Sequence, residues 1–172
     1  MGETPRVHFA YGSNMSVPRL RARVPSAKPL GVGTLDDHQL MFRKKSKRDC
    51  SAKCDIAPSG GRKVVGVLFE IDPREENQLD LAEGLGKGYQ KKDVDVSNAA
   101  GRRVRAFTYY ADSRHIHAKL RPYTWYVKHV VAGAEEAGLP VEYINNLKGV
   151  ESVIDPDPER EKKELAIYES NG

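Results

Sequence analysis

Cysteine is nearly absent: only Cys50 and Cys54 occur among 172 residues. They are spaced C-x3-C, with no second pair and no histidine beside them, short of the four ligands of a structural zinc site. They read as two ordinary thiols in or near a strand, unbridged in a reducing compartment. No apolar run reaches the length of a membrane span. The N-terminus lacks the apolar stretch of a secretory signal, and Arg6 stands where a myristoylation motif beginning Met1-Gly2 needs Ser or Thr. A cytoplasmic protein without a membrane partner is therefore expected. Gly-x-Ser-x-Gly elbows and P-loops are missing too. The five histidines, His8, His38, His115, His117 and His129, fall into no metal motif. The nearest approach, His115-x-His117, lacks a third ligand and reads as loop. No metal and no other cofactor is expected.

Hydrophobic residues make up 39% and charged residues 30%, which describes a globular chain long enough to bury one real core. The net charge of +4 is modest but uneven, with Lys44-Lys45-Ser46-Lys47-Arg48 the densest run and Arg102-Arg103 a smaller one. Such a run can attract phosphates, but it is more often a solvated loop. No nucleic-acid motif accompanies it, so no nucleic-acid partner is expected.

Apolar runs and turn residues divide the chain. Val7 to Tyr11 reads as a buried first strand. A short helix follows over Ser16 to Arg23, with Pro18 in its first turn and Pro25 as its stop. Lys28 to Leu35 reads as a glycine-interrupted strand, Asp36-Asp37 as a turn, and His38 to Phe42 as the returning strand. The basic run is the next loop, Ala52 to Pro58 an edge strand, and Ser59-Gly60-Gly61 another turn. Val64 to Ile71 is almost continuously apolar, as a strand covered on both faces requires. Asp72-Pro73-Arg74-Glu75 carries the signature of a helix start, with Asp72 as N-cap and Glu75 completing a capping box. That helix offers Leu79 and Leu81 to the core and stops at Gly84. Gln90 to Ser97 and Arg103 to Tyr110 form a hairpin turning at Asn98 to Gly101. Pro122 opens a helix to Ala137, closed by Gly138, and a shorter helix runs from Pro140 to Gly149. The order is not a βαβ alternation. It predicts one α+β domain over residues 6–150, with a small mixed, curved β-sheet or barrel and flanking helices. Residues 151–172 are charged and poor in large apolar side chains, and are expected to be a loosely held tail. A homodimer is left open.

Two places hold candidate chemistry. The first is Tyr11-Gly12-Ser13-Asn14-Met15, where a strand hands over to a helix. Gly12 permits a sharp turn and bares amide N–H groups, and Ser13 or Asn14 can cap the helix. Such a turn can cradle an anionic or polar group. A plain capped turn accounts for the same residues. The second is Glu83, at a helix C-terminus between Leu81 and Leu85 and before the glycine-rich loop Leu85 to Tyr89. The helix macrodipole and an apolar wall would raise its pKa toward that of a general base working near neutrality. Taken by position alone, a solvated glutamate is the plainer reading.

These pieces, taken in order, resemble the γ-glutamylcyclotransferase family. The likeness runs through Tyr11-Gly12-Ser13-Asn14-Met15, Pro25-Ser26-Ala27, Leu40-x-Phe42 and Val65-Gly66-Val67-Leu68-Phe69. It continues through Asp80-x-x-Glu83-Gly84, Gly88-Tyr89, Pro122, Tyr126-x-Lys128, Gly138-Leu139-Pro140, Glu142-Tyr143 and Leu147. The resemblance implies a small barrel with a cavity at one end. It implies that Glu83 is the general acid/base, that Tyr11, Gly12, Ser13 and Asn14 bind a γ-glutamyl group, and that Tyr126 reaches in from the long helix to hydrogen-bond it. The reaction implied is intramolecular cleavage of γ-glutamyl amino acids or amines, with 5-oxoproline and a free amine as products. Asn14 stands where glutathione-specific relatives resemble Tyr-Gly-Ser-Leu, so glutathione is not the first substrate expected. The alternative is a non-catalytic module on the same fold, holding a small polar ligand or docking an acidic partner with its basic loop.

Overall fold

A computed structural model describes residues 4–171. Met1-Gly2, weighed above as a lipidation start, and the final Gly172 lie outside them. Five strands form a closed barrel in the order β1-β3-β2-β4-β5. They are β1 (Arg6–Ala10), β2 (Lys28–Lys45), β3 (Ala52–Ile71), β4 (Tyr89–Asn98) and β5 (Arg103–Ala111). β1 runs antiparallel to β3, with Arg6 opposite Ile71 and Ala10 opposite Val67, and parallel to β5 at His8 and Phe107. That parallel contact closes the ring, and the sheet is mixed as expected. Phe9, Val67, Phe69, Val96 and Phe107 fill the core. Val64 to Ile71 is indeed buried almost throughout.

The two turns expected at Asp36-Asp37 and Ser59-Gly60-Gly61 do not reverse the chain. They lie opposite each other in one long hairpin, where β2 pairs with β3 from Lys28–Glu70 to Lys45–Ala52 and shifts register between Asp36 and His38. Both strands bend there together. Asp37 and Gly61 take positive φ (54° and 76°), and Asp37 Oδ1 accepts the Gly61 N–H at 2.9 Å. The actual reversal is the turn after Lys45, where Ser46 N–H donates to Ser51 O. Lys44 and Lys45 of the basic run are therefore strand.

Helices cover the barrel: α1 (Val17–Arg21), α2 (Glu76–Glu83), α3 (Thr124–Ala137), α4 (Val141–Lys148) and α5 (Pro158–Leu165). Asp72 accepts from Arg74 N–H, Pro73 opens a 3-10 turn, and Gly84 ends α2 in the left-handed region. No capping box forms, because the Glu75 carboxylate accepts from Ser26 N–H instead. Leu79 is buried, but Leu81, expected in the core, is 80% exposed.

α3 packs backbone to backbone against the turn after β1. A Cβ on Gly133 would sit 2.3 Å from the Met15 carbonyl carbon and 2.4 Å from Ser16 N. Only glycine allows that approach. Gly133→Ala is accordingly expected to lower stability by about 1–3 kcal/mol, the usual cost of overpacking, measured as a lower urea midpoint.

The expected loose tail is corrected over its described part. Asp155 is buried, accepts the Trp125 indole N–H at 2.8 Å, and forms a two-point ion pair with Arg160. Asp157 caps α5 through Glu159 and Arg160 N–H groups. Glu164 pairs with Arg19 at 2.7 Å, and Tyr168 OH contacts both Ser16 Oγ and His129 Nδ1. Polar pairing holds this segment where apolar burial does not. The Arg160 hydrogen bonds hold Asp155 down at about pKa 2, below the ~3.9 of an unfolded chain. Its contribution is therefore complete above pH ~3.9 and is lost as pH falls through about 2. Fluorescence of Trp125, the single tryptophan, should change across that window, and Asp155→Asn should remove that transition.

Candidate active site

β1 ends at Ala10 and delivers Tyr11 to Asn14 to one end of the barrel, under α3. Ser13–Met15 form a single 3-10 turn, with Gly12 as its N-cap. Neither Ser13 nor Asn14 caps a helix with its side chain, and neither does Ser16 ahead of α1. Gly12 has φ −116°, so it is not a left-handed turn residue. Its need for glycine is steric: a Cβ would meet Cys54 Cβ at 3.0 Å and Tyr126 OH at 3.4 Å.

Freed from capping, Asn14 turns to Glu83. The Asn14 amide donates to Glu83 Oε1 at 2.6 Å, and Arg23 Nη1 donates to the same oxygen at 2.8 Å. Arg23 Nη1 also donates to Asn14 Oδ1 at 2.9 Å, closing a triangle. Oε2 of Glu83 has no hydrogen-bond partner among the described residues. The apolar wall expected around this carboxylate is absent: Leu81 faces solvent, and a guanidinium and an amide take its place. Burial pulls the Arg23 pKa down, and the neighbouring Glu83 charge opposes that fall.

Glu83 and the Tyr11 to Asn14 turn face a common hollow of about 40 Å³, with Cys54, Tyr89 and Tyr126 among its walls. A second hollow of about 330 Å³ adjoins it and shares Ser13, Glu83, Tyr89 and Tyr126. The inner one admits only the reacting end of a ligand, and the outer one is of small-molecule size. The amides of Gly12 and Ser13 carry no hydrogen bond among the described residues, so they remain donors for a ligand oxygen.

The tyrosines are fixed by the backbone. Tyr11 OH donates to Tyr109 O, Tyr89 OH donates to Cys54 O at 2.6 Å, and Tyr126 OH accepts from Cys54 N–H at 3.0 Å. Burial pushes the pKa values of Tyr11, Tyr89 and Tyr126 well above the usual phenol value, so all three work as neutral hydrogen-bonding groups. Burial lowers His8, which also lines the inner hollow, to about 4; its Nδ1 lies 3.2 Å from Phe107 O, and its Nε2 has no partner among the described residues. Tyr109 OH donates to Asp80, which also pairs with Lys91.

All six residues singled out from the sequence, Tyr11, Gly12, Ser13, Asn14, Glu83 and Tyr126, line the inner hollow. Sequence reasoning missed Arg23, whose only cue is its place at the end of the first helix. It missed Cys54, weighed there only as a metal ligand or bystander. Cys54 is no nucleophile: burial pushes its thiol up to about 12, so it stays protonated near neutrality. Among the described residues no group of three or more His, Cys, Asp or Glu is arranged to hold a metal ion.

Comparison with known proteins gives consistent results. Residues 63–147 match the model of the AIG2-like family. The chain is 33% identical over 150 residues to the human protein named gamma-glutamylcyclotransferase, covering 84% of this chain and 78% of that one. It is 34% identical over 155 residues to the mouse protein of the same name, covering 87% and 80%. A solved structure titled "Gamma-glutamyl cyclotransferase" superposes with TM-score 0.84 at 29% identity, covering 93% of this chain and 99% of that one.

The thiol environments predict a clear chemical difference. Cys50 is exposed and Cys54 buried. Iodoacetamide at pH 7.5 should alkylate Cys50 and spare Cys54 in the folded protein, as read by peptide mass spectrometry.

Proposed function

The chain belongs to the γ-glutamylcyclotransferase family, and from that premise we propose that it cleaves γ-glutamyl amino acids or amines, releasing 5-oxoproline and a free amine. The substrate carries its own nucleophile. Its α-amine, folded back onto the γ-carbonyl, closes a five-membered ring, so neither an enzyme nucleophile nor a metal is needed for the step. Holding that folded geometry supplies much of the acceleration, since effective molarities of well-oriented intramolecular reactions are very large.

The observation that carries the reading is the contact between Glu83 and Asn14 at 2.6 Å beside the shared hollow. Asn14 and Arg23 hold one carboxylate oxygen, leaving Oε2 to take a proton from the substrate ammonium. The freed amine attacks the γ-carbonyl carbon and a C–N bond forms. The oxyanion that develops is met by the unpaired amides of Gly12 and Ser13, each such donor being worth roughly 3–4 kcal/mol in other enzymes. Collapse of the tetrahedral intermediate breaks the original amide bond as Glu83 returns its proton to the leaving nitrogen, and the ring nitrogen then gives up its second proton to the freed carboxylate, leaving the neutral lactam N–H. Tyr126 and Tyr11 bound the glutamyl side as neutral walls. Two cysteines that stay free fit a cytoplasmic setting for this chemistry.

The non-catalytic alternative rests on no observation of its own, while the curated relatives are named as enzymes. Release of 5-oxoproline from γ-glutamyl-alanine tests the proposal directly. Glu83→Gln should lower kcat by at least about 10²-fold, measured at a temperature where the variant is folded, since it also removes the counter-charge of Arg23. Equal rates for the variant and the wild type would remove Glu83 from the proton transfer.

A further inference from the structure

The outer hollow is strongly asymmetric in charge. Eight basic side chains and three acidic ones line it. Four of the basic groups are already neutralised: Arg19 by Glu164, Arg23 by Glu83, Lys53 by Asp49 and Arg160 by Asp155. Lys44, Lys47, Arg48 and Lys87 have no acidic partner among the described residues.

Lys44 is the telling member of this set. It is only 8% exposed, yet its ammonium makes no hydrogen bond or ion pair among the described residues. It sits 4.6 Å from the centroid of the Tyr89 ring, beside Gly88, where a Cβ would come within 3.0 Å of Nζ. Tyr89 walls both hollows, and Lys44, packed on its ring, lines the outer one. Burial lowers its pKa, and the largest opposing influence is the charge of Glu83. Its stem is buried while the ammonium lines the hollow without a counter-charge, a place an anionic ligand group can fill.

We propose that the outer hollow binds the leaving part of the substrate and selects a leaving amino acid with at least two negative charges, its α-carboxylate and a second carboxylate or phosphate. The inference rests on the cyclising cleavage proposed above and adds the chemistry of the leaving side. With the γ-glutamyl end in the inner hollow, the scissile nitrogen lies at the junction and whatever it carries projects toward Lys44. A single α-carboxylate answers one of the four unpaired cations; the rest are positioned for a second anion. A neutral amine answers none, and a cationic amine meets repulsion.

The test compares kcat/KM for γ-glutamyl-glutamate, γ-glutamyl-O-phosphoserine, γ-glutamyl-alanine and γ-glutamyl-ethylamide at 50 mM and 500 mM NaCl. The acidic substrates should exceed γ-glutamyl-alanine by about tenfold at low salt, mainly through KM, with the advantage shrinking at high salt. The larger of the two acidic ratios identifies the second anion as carboxylate or phosphate. γ-Glutamyl-ethylamide should be the poorest substrate. Lys44→Met should collapse the acidic preference, read as the ratio of kcat/KM for each acidic substrate to that for γ-glutamyl-alanine in the same variant, and Lys44→Arg should retain it. Lys87→Met, on the exposed side, should reduce it in part. Turnover of γ-glutamyl-alanine with no acidic preference, or a preference unchanged in Lys44→Met, overturns this inference alone. No turnover of any of the four compounds overturns the cleavage reading with it.

Discussion

Closure of the barrel at β1 is the constraint on which the rest depends. A five-residue strand is held on one side by β3 and on the other by β5, leaving neither edge of the sheet exposed. His8, Phe9 and Ala10 are buried as a result, and the chain can leave only at the end of the barrel. There it is met by α3, whose Gly133 backbone bears directly on Met15 and Ser16. The turn between these two surfaces has little freedom. Its side chains become a fixed frame, to which α2 adds Glu83 from the opposite side.

Polar satisfaction then decides what the frame can do. The hydroxyls of Tyr11, Tyr89 and Tyr126 are tied to backbone groups, and burial keeps them neutral. Cys54 supplies two of those backbone partners while its own thiol is suppressed. Among the groups left with capacity around the two hollows are Glu83 Oε2, the Gly12 and Ser13 amides, His8 Nε2 and the Lys44 ammonium. Acceptors, donors and a cation form a small kit. It matches a substrate that brings its own nucleophile.

Much of this was legible in the sequence because it depends on local chemistry. Asp72-Pro73 and Gly84 bounded α2 through φ restrictions and orphaned end groups, and Asn98 to Gly101 announced the β4–β5 hairpin. The pairing of two turn signals into one bend was not legible. Asp36-Asp37 and Ser59-Gly60-Gly61 look like reversals when each is read alone, and only their register in the long hairpin turns them into a shared kink. The C-terminal segment was misread because its composition is charged. Its order comes from specific pairs with Trp125, Arg19 and Ser16, which lie far away in sequence. At the site, Glu83 stood out by position, but its neighbours could not be named. A leucine beside it in sequence points to water, and an arginine sixty residues earlier pairs with it.

The C-terminal segment reaches further than its location suggests. Tyr168 touches Ser16 and His129, and Glu164 touches Arg19, so the segment just after the Tyr11 to Asn14 turn is braced by side chains 145 and 152 residues further along the chain. A cut between α4 and Tyr168 would be felt across the barrel mouth, so the folded unit extends beyond Tyr168 rather than stopping at the end of α4.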